Sequence, residues 1–272
     1  MTYRENLYNL IGGNYNATRK ADLYISRRLI SLLNPEKEKS YIDIGCGTGN
    51  YTIALSEAGF EFTGLDPSEA MLAIARQHAP CKNWVIGSAE KIPLPDGQFD
   101  GALATLTIHH WQDLKNAFLE INRILKINSR MVLFTSLPEQ MTGFWLNHYF
   151  PQMMQASIQK MPGLDRIKDA CSYVGFHLQY TEIYNIRLDL EDQFLYSGKM
   201  NVALYLDDDF RKGISSFAEK DDQSEIKTGL KNLASDIASG RIKSIQEKFQ
   251  NNNGDYIFVV LTKDCLTKNL IF

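Results

Sequence analysis

The chain has 272 residues, of which 44% are hydrophobic and 22% are charged, and its formal net charge is −3. This composition is ordinary for a protein that buries a hydrophobic core, and the lack of a cluster of lysines and arginines argues against a nucleic-acid partner. No run of about 18 apolar residues is present, so we expect no membrane span and no membrane partner.

The first forty residues are amphipathic and predict a helical segment that ends at Asn34-Pro35. Short apolar runs then alternate with helical patterns. Strands are predicted at residues 41–44, 60–65, 84–86, 99–105 and 130–135, and the main helices at residues 51–58, 67–80 and 114–125. Alternation at this length predicts βαβ units, a parallel sheet and right-handed crossovers.

The pattern changes after the fifth strand. It predicts helical stretches at residues 143–161 and 165–174, a sixth strand at 176–187 and a seventh at 255–262. The interval from 189 to 249 has helical spacing, and a structureless loop of that length would be improbable in a compact domain. We therefore expect one domain over residues 1–272, with an N-terminal segment (1–40), a core (41–187 and 254–263) and a helical cap (189–249).

The most informative motif is DIGCGTG at residues 43–49, directly after the first predicted strand. Its glycines on alternate positions let a ligand lie against the backbone, at the strand end where open α/β sheets bind cofactors. Asp66 ends the second strand, where an acid can accept the hydroxyls of a ribose. A nicotinamide dinucleotide would instead favour G-x-G-x-x-G, and Asn50 stands where that third glycine would fall.

With these residues the chain resembles the class I S-adenosylmethionine-dependent methyltransferases. Further segments fit in order: GLDPS at 64–68, GSAE at 87–90 with IPL at 92–94, FD at 99–100 and INRIL at 121–125. The resemblance implies a doubly wound α/β fold, with helices on both faces of a seven-stranded, mostly parallel sheet and an antiparallel seventh strand. It also implies S-adenosylmethionine as the cofactor. The sequence shows no acid cluster organised for a magnesium ion, so we expect no resident metal.

The resemblance also implies a set of cofactor-binding residues. An arginine fork suits a carboxylate, so Arg19, four residues after Tyr15, would take the cofactor's carboxylate, or else lie exposed on a surface helix. Ser88 departs from the aspartate of many relatives, and Met71 and Leu106 could equally be core residues. The implied set is Tyr15, Arg19, Asp43, Gly45, Cys46, Gly47, Asp66, Pro67, Met71, Ser88, Ala89, Glu90, Thr105 and Leu106.

Two histidines, His109 and His110, follow the fourth strand and are the catalytic candidates. Either could deprotonate an acceptor atom, His110 being the better placed. A structural role in holding the loop is the alternative, because methyl transfer can proceed through positioning and desolvation without a dedicated base.

An aromatic- and methionine-rich stretch has two interpretations, an apolar acceptor pocket or core packing. It contains Phe144, Trp145, Tyr149, Phe150, Met153 and Met154.

The sequence thus favours an S-adenosylmethionine-dependent methyltransferase that acts on a small-molecule acceptor. A catalytically silent binding or regulatory subunit with the same fold is the alternative, and a nicotinamide-dependent oxidoreductase is less favoured. The cysteines at 46, 81, 171 and 265 are widely spaced and suggest neither a zinc knuckle nor a disulfide scaffold. We expect a cytoplasmic monomer or homodimer.

Overall fold

Seven strands form one sheet in the computed structural model, which describes residues 19–218, 223–250 and 252–264. The spatial order is β3-β2-β1-β4-β5-β7-β6, and β7 runs antiparallel to β5 and β6 while the other pairs are parallel. This arrangement confirms the predicted fold class. The strands are β1 (Ser40–Ile44), β2 (Glu61–Asp66), β3 (Asn83–Ile86), β4 (Phe99–Thr105), β5 (Leu125–Thr135), β6 (Phe176–Tyr184) and β7 (Tyr256–Lys263).

Helices cover both faces of the sheet, and several begin at a side chain that caps the free N–H groups of the first turn. Asp22 accepts from Ile25 N at 2.8 Å, and Ser68 accepts from Met71 N at 3.3 Å. The helices between β1 and β6 are α2 (Asn50–Glu57), α3 (Glu69–His78), α4 (Leu114–Ile124), α5 (Pro138–Met141), α6 (Leu146–Tyr149), α7 (Pro151–Lys160) and α8 (Leu164–Tyr173), and α1 (Leu23–Leu33) precedes β1.

Two predicted strand boundaries are wrong, and the predicted helical stretch 143–161 is divided into shorter helices. The fifth strand begins at Leu125, directly after α4, and the sixth ends at Tyr184 rather than at residue 187. The stretch 143–161 is not one helix, because Pro151 disfavours helical geometry at the preceding residue, and Phe150 lies at φ −134° and ψ 58°. The chain therefore turns between α6 and α7.

Residues 189–249, called the insertion below, connect β6 to β7. The chain there runs without regular structure to Ser197 and continues through two 3₁₀ turns, Ser197–Lys199 and Val202–Leu206. Residues 219–222 lie outside the described part. The helices of the insertion are α9 (Asp208–Lys212), α10 (Ser215–Ala218), α11 (Gln223–Ser239) and α12 (Ile242–Lys248).

The insertion packs on one face of the sheet. Its buried side chains, among them Tyr205 and Leu233, belong to the same hydrophobic cluster as Leu29 of α1 and Phe258 of β7. A second cluster, centred on α4 and α8, covers the opposite face. Within the described residues, no helix is long and apolar enough to cross a membrane.

Asp255 ties the insertion to the start of β7. Its carboxylate accepts from Ile186 N at 2.8 Å and from Lys199 Nζ at 2.8 Å, and its side chain is 5% exposed. One buried acid thus joins the chain segment after β6 to the first 3₁₀ turn of the insertion.

We expect Asp255→Ala to lower the free energy of unfolding by about 2–3 kcal/mol, because it leaves a buried N–H and an ammonium without their acceptor. Asp255→Asn keeps an oxygen for Ile186 N and should lose about half as much. Urea denaturation of both variants measures the difference. Equal losses would show that the charge opposite Lys199, and not the bond to the backbone, carries the stability.

Candidate active site

A cavity of about 500 Å³ opens at the carboxyl ends of the central strands. Gly45 follows β1, Asp66 ends β2, Thr105 ends β4 and Leu106 follows it, and all four line the cavity. The strand order reverses between β1 and β4, the place where open α/β sheets bind their ligands. The size is that of a typical small-molecule site.

The three glycines after β1 are required for different reasons. A Cβ on Gly45 (φ +72°) would lie 2.1 Å from Thr107 Oγ1, and one on Gly49 (φ +79°) would lie 2.3 Å from the Trp84 ring. Around Gly47 (φ +57°), apart from Gly47 and its two chain neighbours, no described atom lies within 4 Å of the added carbon. Gly45 and Gly49 therefore serve packing, whereas Gly47 leaves space on the cavity side that a side chain would fill.

Asp66 fixes the glycine turn and keeps its carboxylate in the cavity wall. Its Oδ2 accepts from Gly47 N at 2.8 Å, and its Oδ1 accepts from Ser68 N at 2.8 Å. Burial raises its pKa to about 6, although the two N–H groups act in the opposite direction. At neutral pH the carboxylate is therefore ionised and can accept further hydrogen bonds from a ligand.

Asp43 is the second buried acid at this turn. The Thr52 hydroxyl donates to its Oδ2 at 2.7 Å, which ties the end of β1 to α2. Burial raises the pKa of Asp43 to about 6, partly offset by that hydroxyl, and the charge of Asp66 raises it further.

Two hydroxyls in the cavity wall point to a polar ligand. Thr48 Oγ1 and Thr105 Oγ1 are buried, and neither has a hydrogen-bond partner among the described residues. A buried hydroxyl without a partner is costly, so a ligand with complementary polar groups would satisfy them.

The structure brings most of the predicted cofactor residues together. Ala89 is an exception, because its side chain packs in the core with Leu65 and Ile92. Tyr15 lies outside the described residues. Those that line the cavity are Arg19, Asp43, Gly45, Cys46, Gly47, Asp66, Pro67, Met71, Ser88, Glu90, Thr105 and Leu106.

Glu90 has a local role that the sequence did not indicate. Its carboxylate accepts from Gln112 N at 2.6 Å, and its carbonyl oxygen accepts from Asn116 Nδ2 at 2.9 Å. Both bonds hold the start of α4 against the turn after β3. The adjacent Ser88 also lines the cavity and remains the candidate for contact with a ligand base.

Arg19 is half-buried and already engaged by an acid that sequence reasoning missed. Arg19 Nε lies 2.5 Å from Asp192 Oδ1, and the Tyr51 hydroxyl donates to Asp192 Oδ2 at 3.1 Å. Asp192 belongs to the insertion and lies 173 positions along the chain from Arg19, so no motif spacing could have linked them. Other lining residues absent from the prediction are Thr48, Asn50, Tyr51, Ser68, Thr107, Gln112, Asp113 and Asn116.

A second, smaller cavity of about 90 Å³ adjoins the first. Arg19, Leu106 and His110 line both, whereas His109 lines the smaller of the two. Leu106 adopts φ +54°, a conformation that a leucine rarely takes and that often marks a functional site. This residue forms part of the boundary between the two cavities.

The walls of the smaller cavity are mostly apolar. Phe194 and Ile214 come from the insertion, while Met141, Met161 and Tyr256 come from the segments after β5 and from β7. Two hydrogen bonds within the protein already engage serine hydroxyls of this wall. One joins Ser157 Oγ to Ser216 Oγ at 2.9 Å, and in the other Ser136 Oγ donates to Asp255 O at 2.9 Å.

The aromatic stretch belongs to the core rather than to a pocket. Phe144 stacks on Tyr196 with ring centroids 3.8 Å apart, and Trp145 packs edge-on against Tyr205 at 5.2 Å. Both are fully buried, as are Phe150 and Met154, and neither cavity includes them. Helical spacing could not distinguish these two outcomes, because both require apolar side chains on one helical face.

Comparison with known proteins agrees with the fold. Residues 42–133 match the family model described as "Methyltransferase domain". A crystal structure of a putative methyltransferase from an antibiotic biosynthesis pathway of Anabaena variabilis is 32% identical, with a TM-score of 0.80, and the match covers 90% of this chain and 98% of that one.

Other relatives match over shorter lengths or lower identity. A malonyl-[acyl-carrier protein] O-methyltransferase of Serratia marcescens is 28% identical over 48% of this chain and 51% of its own length. The chain thus spans about half the length of this curated relative. A geranyl diphosphate C-methyltransferase of Streptomyces coelicolor, in complex with S-adenosyl-L-homocysteine, shares the fold with a TM-score of 0.55 at 13% identity, over 88% of this chain and 75% of that one.

The chain belongs to the class I S-adenosylmethionine-dependent methyltransferases, and its cofactor is S-adenosylmethionine. The residues of the larger cavity fit this cofactor. Buried carboxylates can accept from its hydroxyl and ammonium groups, and the space beside Gly47 admits a ligand close to the backbone.

We expect the affinity for S-adenosylhomocysteine to fall as the pH is lowered from 7 to 5. Ribose hydroxyls would donate to the ionised form of Asp66, whose pKa without ligand is about 6, so binding would compete with protonation. Calorimetry across this pH range measures the slope. Asp66→Asn should flatten it and should weaken binding at pH 7 by about 1.5–3 kcal/mol. An unchanged slope in that variant would assign the titration to Asp43.

Proposed function

We propose that the protein transfers the methyl group of S-adenosylmethionine to a small molecule bound in the smaller cavity. The observation that carries this proposal is that Arg19, Leu106 and His110 line both cavities, which therefore adjoin. A donor in the larger cavity would thus face an acceptor in the smaller one. The assignment of the Anabaena variabilis relative to antibiotic biosynthesis also supports a small-molecule acceptor.

The cofactor-binding roles follow from the chemistry of each part of the wall. Asp66 would accept from the ribose hydroxyls, and the turn from Gly45 to Gly47 would lie along the methionine half. Met71, which is buried, would pack beside the adenine, with Ser88 at its edge.

When bound, S-adenosylmethionine supplies an electrophilic methyl group on a cationic sulfonium. The protein's contribution is to hold the acceptor atom in line with that group and to keep water away. Leu106 and the apolar wall formed by Phe194 and Ile214 suit both tasks, because they restrict the acceptor and leave little room for solvent.

The insertion acts in this proposal as a cap within a single domain. It provides part of the wall of the smaller cavity, and its buried side chains share a hydrophobic cluster with the sheet. A separate unit near sixty residues would also be marginal in stability on its own.

His110 is the residue that we propose to accept a proton from the acceptor. It lines both cavities, and its ring centroid lies 3.9 Å from that of His109, which lines the smaller cavity. A base at this boundary reaches the acceptor atom without displacing the donor.

The proposed function is tested with S-adenosylmethionine that carries a deuterated methyl group, a library of small metabolites and mass spectrometry. We expect labelled small-molecule products from the wild type and none from Ile214→Trp, which fills the smaller cavity. Both proteins should bind S-adenosylhomocysteine equally, which also shows that the variant is folded. Ile214→Ala, which enlarges the cavity, should broaden the set of products. Label found in protein or nucleic acid, or full activity in Ile214→Trp, would contradict the proposal.

With that product as the assay, His110→Gln should lower kcat about a hundredfold or more and leave the affinity for S-adenosylhomocysteine unchanged, as for loss of a general base. His109→Gln is the matched control and should have a much smaller effect. Normal specific activity of His110→Gln together with a lower Tm would instead assign this histidine to holding the loop.

A further inference from the structure

The insertion places a buried acid in the wall of the larger cavity. Asp192 is 1% exposed, and its carboxylate accepts from Arg19 Nε at 2.5 Å, from the second guanidinium nitrogen at 3.2 Å and from the Tyr51 hydroxyl at 3.1 Å. All three residues line the larger cavity. This acid is the contact through which the insertion reaches the cofactor site.

A second triad of the same composition shows what such an arrangement does when it is purely structural. Asp236 is 2% exposed and accepts from Arg241 Nε at 2.6 Å and from the Tyr149 hydroxyl at 2.9 Å. None of these three residues lines either described cavity. Both triads join a buried acid to an arginine Nε and a tyrosine hydroxyl, and they differ in their surroundings and in the second guanidinium contact that Arg19 makes.

The position of Asp192 corresponds to one end of the cofactor. Asp66 and Ser88 lie at the ends of β2 and β3, on one side of β1, and suit the ribose and the base. Arg19 lies on the other side, since it also lines the smaller cavity beyond β4. The amino-acid end of the cofactor, which carries a carboxylate and an ammonium group, would therefore extend towards Arg19 and Asp192.

We propose that Arg19 and Asp192 together recognise this zwitterionic end, with Arg19 paired to the α-carboxylate and Asp192 accepting a hydrogen bond from the α-ammonium. The inference rests on the cofactor placement proposed above. Asp192 would then be a cofactor-binding residue supplied by the insertion.

The bonding capacity of Asp192 allows this role. A carboxylate offers about four acceptor positions, and three hydrogen bonds from described residues reach this one. Charge also favours it, because an ammonium group beside Arg19 alone would meet a like charge, whereas the Arg19–Asp192 pair presents one charge of each sign. The arrangement thus complements both ionic groups at once.

The test compares S-adenosylhomocysteine with 5′-methylthioadenosine, which has the same adenosine and lacks the amino-acid end. Asp192→Asn should weaken S-adenosylhomocysteine about ten- to a hundredfold, as expected for a lost charge-assisted hydrogen bond, and leave methylthioadenosine within about twofold. Calorimetry on the purified full-length protein measures both affinities. Tyr51→Phe, which keeps the charge of Asp192, should change either affinity only a few-fold.

Asp236→Asn is the matched control, because it makes the same change in the triad outside the cavities, and it should leave both affinities unchanged. Asp66→Asn should weaken both ligands alike. If Asp66→Asn leaves both affinities intact, the proposed cofactor placement is wrong. If Asp66→Asn weakens both ligands as expected, two results for Asp192→Asn would overturn its role at the ammonium group: equal weakening of both ligands, or weakening of neither. The Arg19–Asp192 pair would then be a structural link between the insertion and residue 19.

Discussion

The hydrogen bond from Gly47 N to Asp66 is the interaction on which the cavity depends. This bond joins the loops after β1 and β2. Gly47 can adopt its left-handed conformation because a glycine has no Cβ. The same carboxylate also accepts from Ser68 N and so fixes the entry to α3. One buried acid therefore sets the spacing of two strand ends, and its burial is also what raises its pKa towards the physiological range.

Parts of the site that depend on local sequence could be predicted, and parts that depend on distant contacts could not. The glycine turn and Asp66 follow directly from strand ends, so their place in the sheet is fixed once the strands are identified. Asp192 is brought in by the packing of the insertion, and its partner Arg19 is 173 positions away. Asp66 could be predicted because the periodicity of the sequence determines where a strand ends. The Arg19–Asp192 pair could not, because tertiary packing determines which distant residues form an ion pair.

The aromatic stretch shows a second limit of sequence reasoning. Phe144 and Trp145 have the apolar character that either a pocket or a core requires, and the decision depends on Tyr196 and Tyr205, which the insertion packs against them. The smaller cavity is instead lined by residues scattered along the chain, such as Met141, Phe194 and Ile214. Under the proposed function, acceptor selectivity would depend on the insertion, which is the part of the chain with the least distinctive sequence.

Several acids are buried in the wall of the larger cavity, and a bound cation would reduce the cost of burying them. Asp43, Asp66 and Asp192 all line the cavity, together with the cation Arg19. Burying carboxylates costs free energy, and the two with pKa values of about 6 are nevertheless ionised at neutral pH. A cationic sulfonium nearby would offset part of that cost, whereas the product, which has a neutral thioether, would not. The buried charges that destabilise the empty site would in this way favour a ligand that carries positive charge.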